Sequence, residues 1–393
     1  MKKLIIAAFL FVSIITTNTL AEIKIGIILG FTGPIESLTP AMRDSAKLAF
    51  KEASDSGSLL GGETITVLEG DSTCVDSAAA QAVATKLVSD GVVAIMGADC
   101  SGVTGAIATN VAVPNGVVMI SPSATSPGLT DLDDRGLFFR TAPSDARGGQ
   151  ILADITKDRG VKSVAITYTN NDYGKGLADV YAAAAKAHGI EVTAVTSHED
   201  GKADYSAEVA TLASAGGDAI AVIGYLDQGG KGIIQASLDS GAFDTFILSD
   251  GMIGDTLTDT FGKDLNKSFG SLPGSTGKGA TVFTDVAKAG GIDSSGPYTG
   301  ESYDAAALIV LAIQAGGSAD RGSIAKNVMA VANGPGKKIY PGQLKKALDL
   351  LAKGKAVDYE GATGVNFTDV GEAEGSFLEK EIKGGKFKTK KQR

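Results

Sequence analysis

The sequence predicts an α/β protein built from two doubly wound, Rossmann-like lobes, and three observations carry that prediction. Short apolar runs alternate with amphipathic helical stretches, the pattern of a parallel sheet covered by helices on both faces. The alternation starts twice, once at Ile23 and again after Arg140. A chain of 393 residues with 44% hydrophobic content is long enough for two cores, at about 150 residues per domain.

Met1 to Ala21 opens on Lys2 and Lys3, runs apolar from Leu4 to Ile15 and ends in Thr19-Leu20-Ala21. This is the build of a secretory signal peptide. The apolar run is shorter than the roughly 20 residues of a spanning helix, and no cysteine follows it to carry a lipid. A mature, exported chain is expected to begin at Glu22.

Ile23 to Leu29 reads as a buried strand, followed by the loop Gly30 to Pro34 and a helix from about Pro40 to Ser54. Strands at Thr64 to Leu68, Val92 to Met96 and Val117 to Ile120 then alternate with helices at Asp76 to Val88 and Ser101 to Val111. Past Arg140 the second series has strands at Val164 to Tyr168, Glu191 to Val195, Ile220 to Ile223 and Thr245 to Leu248. Helices at Gly174 to His188, Asp204 to Ala215 and Gln228 to Ser240 separate them. Gly270 to Ser275 reads as a turn-rich crossing. Four helices follow, near Thr281 to Ala289, Glu301 to Ala315, Ser323 to Val331 and Gln343 to Lys353, and the first lobe offers the sheet face they need. Gly375 to Ile382 has strand character. The organisation is therefore lobe 1 from 22–141 plus 274–366 and lobe 2 from 142–273 plus 367–386. A basic tail, 387–393, is expected to be disordered.

Composition narrows the function. The formal charge is −9, and loss of Lys2 and Lys3 with the signal peptide makes it −11, which argues against nucleic acid and anionic membranes. Two histidines, His188 and His198, and two cysteines, Cys74 and Cys100, leave little material for a zinc site or a His-based triad. In an exported protein the two cysteines favour a disulfide over free thiols. Gly30-Phe31-Thr32-Gly33 is only a fragment of a dinucleotide loop, and there is no G-x-S-x-G elbow. No catalytic residue, cofactor or metal is expected.

The stretch with the most chemistry is Ser121 to Thr130, SPSATSPGLT. Hydroxyls of Ser121, Ser123, Thr125 and Ser126 sit among Pro122, Pro127 and Gly128, so the turn is stiff and rich in hydrogen-bonding groups. In an open parallel sheet, ligands bind at the carboxyl ends of strands. A polar loop there is a candidate wall of a binding site.

Together with IKIGIILGFTGP at the start, DSTC, GADCS, the NDYGKG turn, Gly224-Tyr225, the SDG turn at Ser249 to Gly251 and SGPY…YDA, this stretch resembles the periplasmic branched-chain amino-acid-binding proteins. These are the type I solute-binding components of ABC importers, and the resemblance spans essentially the whole mature length. It implies two lobes joined by a three-stranded hinge near Arg140 to Ala142, Ser271 to Gly274 and Asn366 to Gly371. It also implies a free amino acid in the cleft, a membrane permease as partner, a periplasmic location and a monomer. By resemblance, Ser101 and Thr125 offer hydroxyls to the ligand carboxylate, helped by backbone N–H groups, the Ser123 carbonyl accepts from the ammonium, and Ala124 lies among the ligand-binding residues. Ser101 also begins a helix, whose N–H groups favour an anion. Asp250 takes the family's ammonium-binding position, and Tyr173 and Tyr225 close over the ligand. Leu38, Asp99 and Tyr298 match the side-chain pocket, where Asp99 and Tyr298 make it more polar than a leucine pocket and admit a polar, small or cationic amino acid. Glu301 and Tyr303 lie near the same region, with helix capping the expected use of Glu301. Cys74 and Cys100 match the family's disulfide, worth about 3 kcal/mol for a loop of roughly 25 residues in the chain-entropy model. An exported α/β enzyme or a ligand-presenting sensor acting on a small carboxylate is the competing expectation.

Overall fold

The structure is a computed structural model of the chain, and it describes residues 22–393; the expected signal peptide lies outside the described residues. The first series of elements is β1 (Glu22–Leu29), α1 (Thr39–Asp55), β2 (Thr64–Asp71), α2 (Ser77–Ser89), β3 (Ala94–Gly97), α3 (Ser101–Ile107), β4 (Val118–Ser121) and β5 (Phe138–Arg140). The strands pair in parallel in the order β2-β1-β3-β4-β5. β3 and β4 are buried along their whole length, because helices cover both faces of the sheet, and so they read as continuous apolar runs rather than alternating ones.

After β5 the chain passes to a second sheet through α4 (Asp145–Asp158), β6 (Ser163–Thr169), α5 (Asp172–Ala187), β7 (Glu191–His198), α6 (Ser206–Ala215), β8 (Ala219–Ile223), α7 (Gly229–Ser240), β9 (Phe246–Leu248), α8 (Asp255–Phe261) and β10 (Phe269–Pro273). It then returns to the first sheet with α9 (Lys278–Ala289), α10 (Thr299–Gly316) and α11 (Arg321–Ala332), and continues through β11 (Lys337–Ile339), α12 (Leu344–Leu351) and β12 (Val357–Tyr359). Nearly all of α10 is buried against α1, α11, β3 and β4, so the late helices cover the first lobe. No helix of the described residues is long and apolar enough to cross a membrane. β13 (Phe377–Ile382) and β14 (Phe387–Gln392) complete the second sheet, β14-β13-β10-β9-β8-β6-β7.

Several elements escape the sequence pattern. The glycines of α4 disguise it as a loop. Gly149 is required by packing: a Cβ there would lie 2.7 Å from Val180 Cγ1 and 3.0 Å from the Tyr181 nitrogen on α5. β10 carries Gly270, Ser271 and Pro273 and reads as a turn, yet all five of its residues are buried between β9 and β13.

The tail is a correction. Residues 387–393 were expected to be disordered, but β14 pairs antiparallel with β13. Its lysines line an exposed edge, while Arg393 Nη2 meets the fully buried Glu379 at 2.6 Å and Asp158 at 2.7 Å. A basic run is therefore held by a carboxylate that sequence proximity does not reveal.

Crossings between the two sheets are tied to one another. Arg140 bridges to Glu372 through backbone pairing, and the Gly274 nitrogen donates to the Ser376 carbonyl at 3.0 Å.

Candidate functional site

The carboxyl ends of the parallel strands from both sheets face one cavity of about 360 Å³, counting the solvent at its mouth. β3 leads to Asp99, Cys100 and Ser101, and β4 to Ser123. From the second lobe, β6 leads to Tyr173, β8 to Tyr225, and β9 to Asp250 and Gly251. Ile35 in the turn before α1, Leu38 at its N-cap and Met42 within it form an apolar side, and Tyr298 at the head of α10 closes the ring. Eight of the ten ligand-binding positions expected from sequence therefore line one cavity. Ala124 and Thr125 do not.

The reason lies in Arg140, whose side chain is completely buried. Its guanidinium donates to the carbonyls of Ala124 (3.1 Å) and Ser126 (2.8 Å) and to Thr130 Oγ1 (3.0 Å), and it pairs with Glu372. The Thr125 carbonyl accepts from the Asp145 nitrogen at 2.8 Å. These bonds turn the middle of the hydroxyl-rich loop toward the hinge. Thr125 Oγ1 is buried with no hydrogen-bond partner in the protein, as is Asp145 Oδ2.

Asp250 is the electrostatic centre. The Tyr173 hydroxyl lies 2.7 Å from Asp250 Oδ1, and the Tyr298 hydroxyl donates to Oδ2 from the opposite lobe. Ser249 Oγ lies 2.9 Å from the Tyr173 oxygen and accepts from the Gly224 nitrogen at 3.2 Å. Burial raises the Asp250 pKa, and the two phenols act against that rise. Asp145, which sequence reasoning missed, shares a small second cavity with Asp250, Ser249 and Ser271. Burial first, and then the charge of Asp250, push its carboxyl well above the usual range. Its position just after Ser144, whose hydroxyl accepts from the Ala146 nitrogen, reads in sequence as an ordinary helix start.

Tyr173 and Tyr225 stack at 5.2 Å between ring centroids and 16° between planes. Burial raises the phenol pKa of both, so the stack stays neutral and caps the cavity with two ring faces.

Asp99 needs a different account from the one its sequence position invites. It lies on the cavity wall, but Oδ2 accepts from the Gly30 nitrogen at 2.6 Å, and Oδ1 accepts from Ser72 Oγ at 3.1 Å and from the Cys100 nitrogen at 2.9 Å. Burial raises its pKa, opposed by these donors. The carboxylate is occupied in joining three loops, and the expectation of a polar side-chain pocket loses its main support. Cys74 and Cys100 form the disulfide, across a sequence separation of 26, next to this knot.

One further expectation is corrected. Tyr303 does not reach the cavity: its hydroxyl donates to Glu52 and accepts from the Gly342 nitrogen at 3.0 Å. Glu301 stands in the first turn of α10, buried beside a neighbouring cleft, and burial raises its pKa to about 8 against a backbone hydrogen bond at its own N–H. Among the described residues, no group of three or more His, Cys, Asp or Glu is placed to hold a metal ion.

Ile35 and Met42 were not singled out by sequence reasoning. Met42 falls four residues after Leu38, the spacing that puts residues on one helical face, whereas Ile35 lies in the turn before α1 and carries no such signal.

Two lobes that present the ends of their parallel strands to a shared buried cavity have the architecture of a ligand-binding protein. The chain belongs to the periplasmic binding protein family, whose model matches residues 22–368. Among similar proteins, the Leu/Ile/Val-binding protein homolog 1 of Brucella melitensis is 31% identical over 315 residues, 78% of this chain and 82% of that one. The same organism's homolog 3 is 32% identical over 213 residues, so that this chain spans 56% of that relative's length. The branched-chain amino acid transporter substrate binding protein LivJ of Streptococcus pneumoniae, solved with isoleucine, superposes with a TM-score of 0.77 at 25% identity, over 95% of this chain and 99% of that one. A solute binding protein of an ABC transporter from R. palustris, solved with 4-hydroxybenzoate, shares the fold at a TM-score of 0.75 and 18% identity, over 95% of this chain and 97% of that one.

Proposed function

We propose that this protein is the extracytoplasmic receptor of an ABC importer, exported by its N-terminal signal peptide and acting as a monomer that closes on a free aliphatic amino acid and delivers it to a membrane permease. The observation that carries the reading is a buried carboxylate, Asp250, facing an apolar wall of Ile35, Leu38 and Met42 inside a cavity shared by two lobes. An α-amino acid needs this combination: an anion for its ammonium, hydroxyls for its carboxylate and an oily wall for its side chain. Ser101 is assigned to the carboxylate, and the Ser123 carbonyl to the ammonium, since the Ser123 hydroxyl already donates to the Asp99 carbonyl at 3.1 Å. Asp250 takes the ammonium, with Asp145 as the second carboxylate behind it. Tyr173 and Tyr225 cover the ligand. The apolar wall favours leucine, isoleucine or valine over the polar or cationic ligands that Asp99 suggested.

Melting temperatures of the purified protein with a panel of amino acids and 4-hydroxybenzoate test this reading, since a ligand that binds only the folded state raises the midpoint. Branched-chain amino acids are expected to give the largest shifts. A shift with the aromatic acid alone, or consumption of any ligand, overturns it. Affinity is also expected to fall as pH drops. The ammonium binds ionised carboxylates, and the raised pKa values of Asp250 and Asp145 mean that protons compete for them at a higher pH than for exposed aspartates. Calorimetry with leucine between pH 8 and pH 5 checks this; constant affinity across that range removes these carboxylates from the ammonium site.

A further inference from the structure

We infer that Asp227, on the second lobe, is the latch that fixes the apolar wall of the first lobe when the lobes meet, so that closure itself tests the size of the bound side chain. This rests on the reading that Ile35 and Leu38 face the ligand's side chain. The Asp227 nitrogen donates to the Pro34 carbonyl at 2.9 Å, and its carboxylate Oδ2 accepts from the Ser37 nitrogen at 2.9 Å. These two bonds bracket the turn that carries Ile35 and leads into Leu38, and two points of attachment fix orientation as well as position. Ser37 Oγ lies 3.4 Å from Thr256 Oγ1, a third contact between the same turn and the second lobe.

A fourth contact is apolar. The backbone at Gly254 comes so close to Leu38 that an added Cβ would lie 3.1 Å from Leu38 Cδ2 and 2.5 Å from Leu226 Cδ2. Asp227 follows Tyr225 by two residues, and Gly254 follows Gly251 by three. Two of the three second-lobe segments that line the cavity therefore also hold the wall on its other side. A side chain too large for the cavity displaces Ile35 and Leu38, and the turn can move only by leaving Asp227. The energy that closure gains at the rim is then lost for an oversized ligand and kept for a fitting one. Size discrimination of this kind needs no contact between Asp227 and the ligand.

The test compares the wild type with Asp227→Ala and Asp227→Asn, using calorimetry and stopped-flow dissociation with leucine and phenylalanine. Loss of one good rim hydrogen bond is worth about tenfold in affinity. Asp227→Ala is expected to bind leucine about tenfold more weakly through faster dissociation, and phenylalanine little changed, so that the preference for leucine narrows. Asp227→Asn keeps an acceptor for the Ser37 nitrogen and is expected to restore most of the loss. Distances between spin labels at Lys51→Cys and Lys186→Cys report closure without any ligand, and Asp227→Ala is expected to shift them toward wider separations. If the wild type binds no amino acid, the proposed function fails while the distance measurement still decides the latch. Unchanged distances in Asp227→Ala, or an unchanged ratio of leucine to phenylalanine affinity in a wild type that binds leucine, overturn the inference.

Discussion

Asp250→Ala is expected to weaken amino-acid binding by about 2 kcal/mol or more, at least thirtyfold, the order found for removing one partner of a desolvated charge pair. In the wild type the carboxylate is held between two phenols, one from each lobe. The substitution removes the proposed counter-ion of the ligand's ammonium and, in the same step, the acceptor that joins Tyr298 to the second lobe. Calorimetry with leucine measures the loss, and the melting temperature of the variant without ligand separates it from a folding defect. Affinity within threefold of the wild type in a folded variant would remove Asp250 from the site.

Arg140→Met is expected to cost stability rather than affinity, by about 3–5 kcal/mol, because it leaves the buried end of Glu372 without its cation and three acceptors of the Ser121 to Thr130 segment without their donor. Methionine preserves most of the volume, so the effect is one of unmet charge and hydrogen bonding rather than of a cavity. Urea denaturation of both proteins reads it directly. A variant within 1 kcal/mol of the wild type would show that the guanidinium is dispensable and that the loop holds itself.

The architecture was legible because buried parallel strands announce themselves. Ile23 to Leu29 and Ile220 to Ile223 have no alternation to confuse with a half-exposed hairpin, and turn residues bound them. β10 and β14 were illegible for opposite reasons. The first hides glycine and proline inside a sheet whose neighbours come from distant parts of the chain. The second is a run of lysines whose one buried partner, Glu379, is recognisable only once the chain is folded.

The site divides in the same way. The family resemblance led to Ser101, Tyr173, Tyr225 and Asp250, and each follows the end of a strand and lines the cavity. Direction was not available. Thr125 and Ala124 lie in the right loop but are turned away by Arg140, a residue that reads in sequence as a charge near a hinge. Asp99 lies on the wall, yet its oxygens are claimed by Gly30, Ser72 and Cys100. A sequence shows which groups arrive at a site; it does not show which of them have already found partners.

That claimed carboxylate has a consequence for affinity. Asp99 and the Cys74–Cys100 bond join the loops after β1, β2 and β3 into a single unit, so the first-lobe half of the cavity is ordered when the chain folds. The conformational entropy of arranging that half is lost before any ligand arrives and is not subtracted from the free energy of binding. A chain with the disulfide reduced would shift part of that entropy loss to the binding step, and would hold every ligand more loosely without changing which one it prefers.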